Sequence, residues 1–158
     1  MSNKDFKHVI VLITGGFDPI HSGHIAYINA AKELGNRLIV GINSDAWLVR
    51  KKGKSFLPFE ERKIILENLR AVDEVIGFDD SDDSAKDAIY QVAKKHSYDY
   101  PTDSTPHIIF ANGGDRTGKN IPEMDVDVDN VSFMFGVGGK DKKNSSSWIL
   151  RNWEQKHV

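Results

Sequence analysis

The sequence contains no cysteine, which excludes disulfides, thiolate metal sites and a cysteine nucleophile together. It has no apolar run long enough to cross a membrane as a helix. It has no excess of one charge either: 21 Lys and Arg stand against 23 Asp and Glu, a formal net charge of −2. No global basic field therefore points to nucleic acid or a membrane surface as partner. The opening Met1-Ser2-Asn3-Lys4-Asp5 is polar and lacks the apolar core of a signal peptide, so a cytoplasmic location is expected. Repeats and interdomain linkers are not evident. A chain of 158 residues can build one good core and is too short for two ordinary domains, so residues 1–158 are expected to form a single domain.

What is present is an alternation of short apolar runs with helical patterns. His8-Val9-Ile10-Val11-Leu12-Ile13-Thr14 ends at Gly15-Gly16 and reads as a strand buried on both faces. Ile25, Ile28, Ala31 and Leu34 then recur at helical spacing, and Gly35-Asn36 supplies a stop. Arg37 to Ile42 is a second buried strand, which makes the opening a βαβ unit. Asn43-Ser44-Asp45 caps a short helix through Val49, followed by a basic loop from Arg50 to Lys54. Pro58 to Leu69 reads as an amphipathic helix with Ile64, Ile65 and Leu69 on its apolar side. Val72 to Phe78, His107 to Ala111 and Val131 to Val137 read as further strands. Ser84 to His96 and Ser145 to Gln155 read as helices, with a loop from Ser97 to Pro106. The alternation predicts an α/β fold: one doubly wound, Rossmann-like parallel sheet of about five strands with helices on both faces. In such a sheet the ligand crevice lies beyond the strand C-termini.

Gly15-Gly16-Phe17-Asp18-Pro19-Ile20-His21-Ser22-Gly23-His24 is the most informative segment. Two glycines let the chain leave the first strand tightly and approach a ligand, and two imidazoles arrive where a helix begins. Free N–H groups and the helix dipole favour anions there. One histidine at a helix start is usually a cap or a solvated side chain. A pair three residues apart could also contribute to a metal site, but no nearby cysteine or carboxylate completes a ligand set. The G-x-G-x-x-G spacing of a nicotinamide-binding loop is absent.

The whole segment resembles the cytidylyltransferase-like branch of the nucleotidyltransferase superfamily, whose hallmark is histidine, any residue, glycine, histidine at the start of the first helix. The likeness continues through Asn43-Ser44-Asp45, the basic loop, Glu60-Glu61-Arg62-Lys63 and Leu69 to Val75, and resumes at Gly113-Gly114-Asp115. The resemblance implies that His21, His24 and Lys51 are catalytic, with Lys52 competing for the lysine's role. It implies nucleotide binding by Gly15, Gly16, Phe17, Asp18, Gly113 and Asp115, and a triphosphate or acceptor contact by Arg70. Arg62 has the family's position, or else forms an ion pair with Glu60 or Glu61. The family's closing arginine and serine-threonine run is represented by Lys140 and by Ser145-Ser146-Ser147, whose hydroxyls and helix N-terminus retain anion binding.

Two other patterns fall short. Gly113 to Asn120 is one residue from a Walker A loop, with Asn120 where serine or threonine should hold magnesium. Arg116, Lys119 and Asn120 still follow a strand's end, where they could contact an acceptor phosphate. Asp125 to Asn130 begins like a calcium loop but lacks the glycine and glutamate that loop requires.

The expected activity is transfer of a nucleoside monophosphate to a phosphorylated small molecule, with release of pyrophosphate. No metal-ligating side chains are assigned, and Mg2+ is implied by the resemblance as the cofactor that bridges phosphate oxygens. CTP is the expected nucleotide, because the motif set looks most like the small polyol-phosphate cytidylyltransferases. The alternative is ATP with a heptose-phosphate-like acceptor, since the chain also resembles the heptose-phosphate adenylyltransferases around Asn43-Ser44-Asp45 and Gly113-Gly114-Asp115. A non-catalytic nucleotide-binding module is the reading from another class. A homodimer is expected, with neither nucleic acid nor membrane as partner.

Overall fold

The computed structural model describes residues 8–98, 105–114, 121–139 and 145–156. Five parallel strands, β1 (Val9–Gly15), β2 (Arg37–Ile42), β3 (Glu74–Gly77), β4 (His107–Ala111) and β5 (Val131–Met134), form one open sheet in the order β3-β2-β1-β4-β5. Among the described residues five α-helices accompany them, α1 (Ser22–Lys32), α2 (Asp45–Lys52), α3 (Phe59–Glu67), α4 (Lys86–Tyr98) and α5 (Ser146–Lys156), with a short 3-10 turn at Pro122–Asp125. The expected doubly wound α/β sheet is the fold observed.

Alternation along the strands divides the core in two. Val11, Ile13, Leu38 and Val40 face α1 and α3, where they meet Ile28, Ala31 and Leu66. Ile10, Leu12, Ile39, Ile108 and Phe110 face the opposite way, toward Ala88, Ile89 and Val92 of α4. Both faces of the sheet are covered, which is why its strands read as continuous apolar runs. Each large aliphatic side chain so buried contributes roughly 1.5–3 kcal/mol. Those two apolar layers hold the strand ends at fixed spacing, and the strand order reverses between β1 and β4. Chains leaving those neighbours run in opposite directions and open a crevice beyond their C-termini.

Several element boundaries differ from the sequence reading. The basic segment is not a loop: α2 runs through Lys52, and Gly53 ends it in the left-handed region (φ 88°). α3 starts at Phe59 with Pro58 as its N-cap, and its buried face carries Arg62 and Leu66, whereas Ile64 is 53% exposed. The buried face thus lies about a quarter turn from the expected one, with Leu69 still packed on the core, because Arg62 is drawn inward by hydrogen bonds. β5 stops at Met134, since Gly136, Gly138 and Gly139 adopt positive φ and turn the chain away from the ladder. Trp148 and Trp153 of α5 are both exposed. No helix among the described residues is long and apolar enough to cross a membrane.

Candidate active site

A cavity of about 470 Å³ opens at the C-terminal edge of the sheet. Its centre is the turn that follows β1. His21 is the N-cap of α1, in extended conformation, and its Nδ1 accepts from the Gly23 N–H at 3.0 Å. The His21 N–H in turn donates to His24 Nδ1 at 3.2 Å, so the pair forms a reciprocal capping box built from imidazoles. An imidazole whose Nδ1 accepts carries its proton on Nε2 when neutral. Both rings are thereby fixed as Nε2–H donors. They stack with centroids 3.8 Å apart, and Phe17 lies tilted against His24 at 5.0 Å. Burial, then the neighbouring His21 and Lys52, lowers the His24 pKa from 6.5 to about 3. His24 is therefore a neutral donor at physiological pH.

Around this centre the cavity has two wings. One belongs to β4 and β5: Asn112, Gly113, Gly114, Val137, Gly138, Gly139 and Ser145 line it. Its backbone packs tightly on Tyr27, whose hydroxyl donates to the Ala111 carbonyl. A Cβ on Gly138 would lie 3.0 Å from the Tyr27 Cα, so only glycine leaves this wall flat. The other wing belongs to β2 and β3: Asn43, Trp47, Asp83, Ser84 and Ala85 line it, and Glu123 closes it from below. Thr14 and Gly15 lie between the two.

The expected site residues separate into groups. His21, His24, Gly15, Gly113 and Ser145 all line the cavity. Gly16 shapes it indirectly: a Cβ there would come within 2.8 Å of Leu48 Cδ2, so the glycine lets α2 pack on the turn. Phe17 is a core residue at φ 50°. The Asp18 carboxylate is only 2% exposed, and its two oxygens accept from the N–H groups of Phe56 (2.6 Å) and Leu57 (2.7 Å). That carboxylate holds the chain beyond α2 rather than facing a ligand. Ser146 donates to the Pro19 carbonyl at 2.8 Å and anchors α5 there, while Ser147 faces outward.

Lys51 and Lys52 take different directions. The Lys51 ammonium rests over the Trp47 ring, 5.8 Å from its centroid. Lys52 reaches the Asp18 carbonyl at 3.5 Å and is the lysine whose field is felt at His24. Arg70 does not reach the cavity. α3 runs back toward the edge where the strands begin, and Arg70 is exposed there, shortly before Asp73 docks on the Leu38 backbone. The order of motifs along the chain does not reveal which edge of the sheet a residue reaches, and here Arg70 is on the far one. Asp115, Arg116, Lys119, Asn120 and Lys140 lie outside the described residues.

Arg62 pairs with neither Glu60 nor Glu61. It is buried and donates to the carbonyls of Leu57, Gly16 and Asn43 at 2.8–3.0 Å and to Asp45 Oδ1 at 2.6 Å. One guanidinium thus ties together the turn after β1, the end of β2 and the start of α2.

Thr14, Tyr27, Trp47, Asp83, Asn112 and Glu123 line the cavity without having been marked by the sequence, and Asn43, noted only as part of a resembling segment, lines it too. Thr14, Asn43 and Asn112 sit at or just past the C-terminal ends of β1, β2 and β4, and that position was the available signal. Trp47, Asp83 and Glu123 belong to no motif and are brought in only by tertiary packing.

The cytidylyltransferase-like family model matches residues 12–149. The bifunctional protein HldE of a Nitratiruptor species is 37% identical over 131 residues, 80% of this chain and 25% of that protein. HldE of Erwinia tasmaniensis is 38% identical over 139 residues, 84% of this chain and 29% of that protein. The chain thus spans between a quarter and a third of the length of these curated relatives. A lipopolysaccharide core biosynthesis protein from Thermoplasma volcanium superposes with a TM-score of 0.57 at 24% identity, over 81% of this chain and 95% of that one, a likeness of fold.

Proposed function

Because the chain belongs to the cytidylyltransferase-like family of nucleotidyltransferases, we propose that it transfers AMP from ATP to a sugar phosphate, with release of pyrophosphate. The observation that carries the chemistry is the stacked pair of Nε2–H imidazoles at the start of α1, with Lys52 beside them. Of the two nucleotides weighed from the sequence, ATP is the better supported. The HldE relatives match most of this chain, and the segments at Asn43-Ser44-Asp45 and Gly113-Gly114-Asp115 resemble heptose-phosphate adenylyltransferases. CTP, expected from the motif set as a whole, becomes the alternative.

In this reading the nucleoside lies on the flat glycine wall of the β4–β5 wing. The triphosphate crosses the α1 N-terminus under His21 and His24, and Ser145 supports it from the start of α5. An ionised oxygen of the acceptor phosphate bonds to the α-phosphorus. The bond from that phosphorus to the oxygen bridging to the β-phosphorus breaks, and its electron pair leaves with pyrophosphate. No side-chain nucleophile or general base is required, because the acceptor is already an anion at neutral pH. Positioning and charge stabilisation supply the rate. His21 and the neutral His24 donate to the α-phosphate from Nε2, and the Lys52 ammonium offsets the charge on the leaving group. Among the described residues no three metal-ligating side chains converge. The magnesium proposed here would neutralise part of the triphosphate charge.

The test is pyrophosphate release with ATP and with CTP against a panel of hexose and heptose phosphates, glycerol phosphate and phosphocholine. A higher kcat/KM for ATP with a sugar phosphate is expected. Preference for CTP would return the cytidylyl reading, and failure of every pair would favour a non-catalytic binding module.

A further inference from the structure

Resting on the transferase reading above, we propose that the β2–β3 wing is the acceptor's seat and that Asp83, held by Arg50, selects a polyhydroxylated phosphate over a cationic one. An in-line displacement brings the acceptor to the α-phosphorus from the side opposite pyrophosphate, so it needs space beside the histidines that the nucleoside does not fill. The wing lined by Asn43, Trp47, Asp83 and Ser84 is that space.

Its chemistry is specific. Asp83 sits at the rim with φ 62°, a conformation that only a few residue types adopt readily. Arg50 fixes it there: its Nε donates to Asp83 Oδ1 at 3.2 Å, its Nη2 lies in ion-pair contact with the same oxygen at 3.1 Å, and Nη2 donates to the Asp80 carbonyl at 2.8 Å. Asp80, buried beneath, accepts from the Asn43 amide, the Ser44 N–H and the Ser44 hydroxyl. Those bonds lock the whole β3–α4 turn against α2 and orient the Asn43 amide.

Carboxylates beside a tryptophan could suit a quaternary ammonium group or a sugar. Two contacts decide between them. The anionic partner a cation would need, Asp83, is already paired with Arg50. The aromatic ring a cation would need, Trp47, already carries the Lys51 ammonium at 5.8 Å. What remains is a wing whose exposed carboxylate, neutralised by Arg50, keeps lone pairs able to accept from hydroxyls, beside the Asn43 and Ser84 side chains. The geometry fits a sugar phosphate and opposes phosphocholine. Arg50 is a positioning residue in this scheme, acting through Asp83.

The experiment uses the full chain with Asp83→Gly, which keeps the positive φ and removes the carboxylate, and with Asp83→Asn. With saturating ATP, the KM for a hexose 1-phosphate should rise at least tenfold in Asp83→Gly, while the KM for ATP moves less than twofold. The preference for hexose 1-phosphate over methyl phosphate should fall by a similar factor, and less so in Asp83→Asn. An acceptor KM changed less than twofold, or phosphocholine bound more tightly than the hexose phosphate, overturns the assignment. Calorimetric titration of hexose 1-phosphate into both proteins separates this result from the reaction itself. If no acceptor releases pyrophosphate, the transferase reading falls, but at least tenfold weaker sugar phosphate binding by Asp83→Gly still supports the seat. Equal binding, or none to either protein, rejects it.

Discussion

An imidazole that accepts a hydrogen bond at Nδ1 and is packed between a second imidazole and a phenyl ring has little capacity for an added proton. His24 is in that position, and its pKa of about 3 follows from burial first and from His21 and Lys52 next. Because the folded value lies below the unfolded 6.5, the unfolded chain takes up this proton first as the pH falls. The stability associated with neutral His24 is thus present above about pH 6.5 and is lost progressively toward pH 3. The ring C2 proton of His24 should show no titration between pH 5 and 8 by NMR in the free protein. Acidification from pH 7 to 4 should also cost His24→Gln less stability than wild type. A midpoint near 6.5 for His24 would contradict the tautomer assignment. For the neighbouring lysines, Lys52→Ala should lower kcat more than Lys51→Ala, by on the order of 10²–10³ for the loss of one electrostatic donor. Lys51→Ala should act mainly on the acceptor KM, because its ammonium lies over Trp47. Side-by-side steady-state kinetics decide the order.

At the scale of the element, α2 and α3 matter less for what they bury than for what they hold. α2 is eight residues long and has one buried side chain, Leu48, so packing alone fixes it weakly. Its position depends on Arg62 of α3, which meets three carbonyls and Asp45 at once. Removing one partner from a buried charged network typically costs about 3–5 kcal/mol. Arg62→Ala should therefore destabilise the protein by about that amount in urea denaturation. Arg62→Lys should recover little, because a point ammonium cannot address several carbonyls in one plane. A loss below about 1 kcal/mol would mean that α2 is held by other contacts. The residue looked like a candidate for ligand binding from its place in the motif, and the fold uses it as an internal strut.

For the molecule as a whole, the strands, the βαβ opening and the turn that carries the histidines were legible because each depends on neighbours in sequence. Apolar runs bounded by glycine report a sheet covered on both faces, and the paired histidines sit, as their spacing suggested, at the start of a helix beside the cavity. The cavity's two wings were not legible. Thr14, Asn43 and Asn112 come from three strand ends, and Trp47, Asp83 and Glu123 from segments that meet only when the sheet assembles. Charged residues misled in the opposite sense. Asp18 and Arg62 look like ligand contacts in a linear motif, yet their hydrogen bonds run to the backbone. Arg70 follows the right strings of residues but reaches the wrong edge, because a crossover helix reverses the chain's direction.

The Asp18 carboxylate has a consequence for how occupancy of the cleft can be followed. Its two bonds join positions 38 and 39 residues apart, from the turn after β1 to the stretch of chain just beyond the lysines. Phe56 and Leu57 are therefore natural isotopic clocks: their amide protons exchange with solvent only when the clasp between turn and lysine segment lets go. A nucleotide that draws the two sides together slows that exchange without touching either amide. The rhythm of opening at the histidine turn can thus be timed from two backbone positions outside the cavity lining.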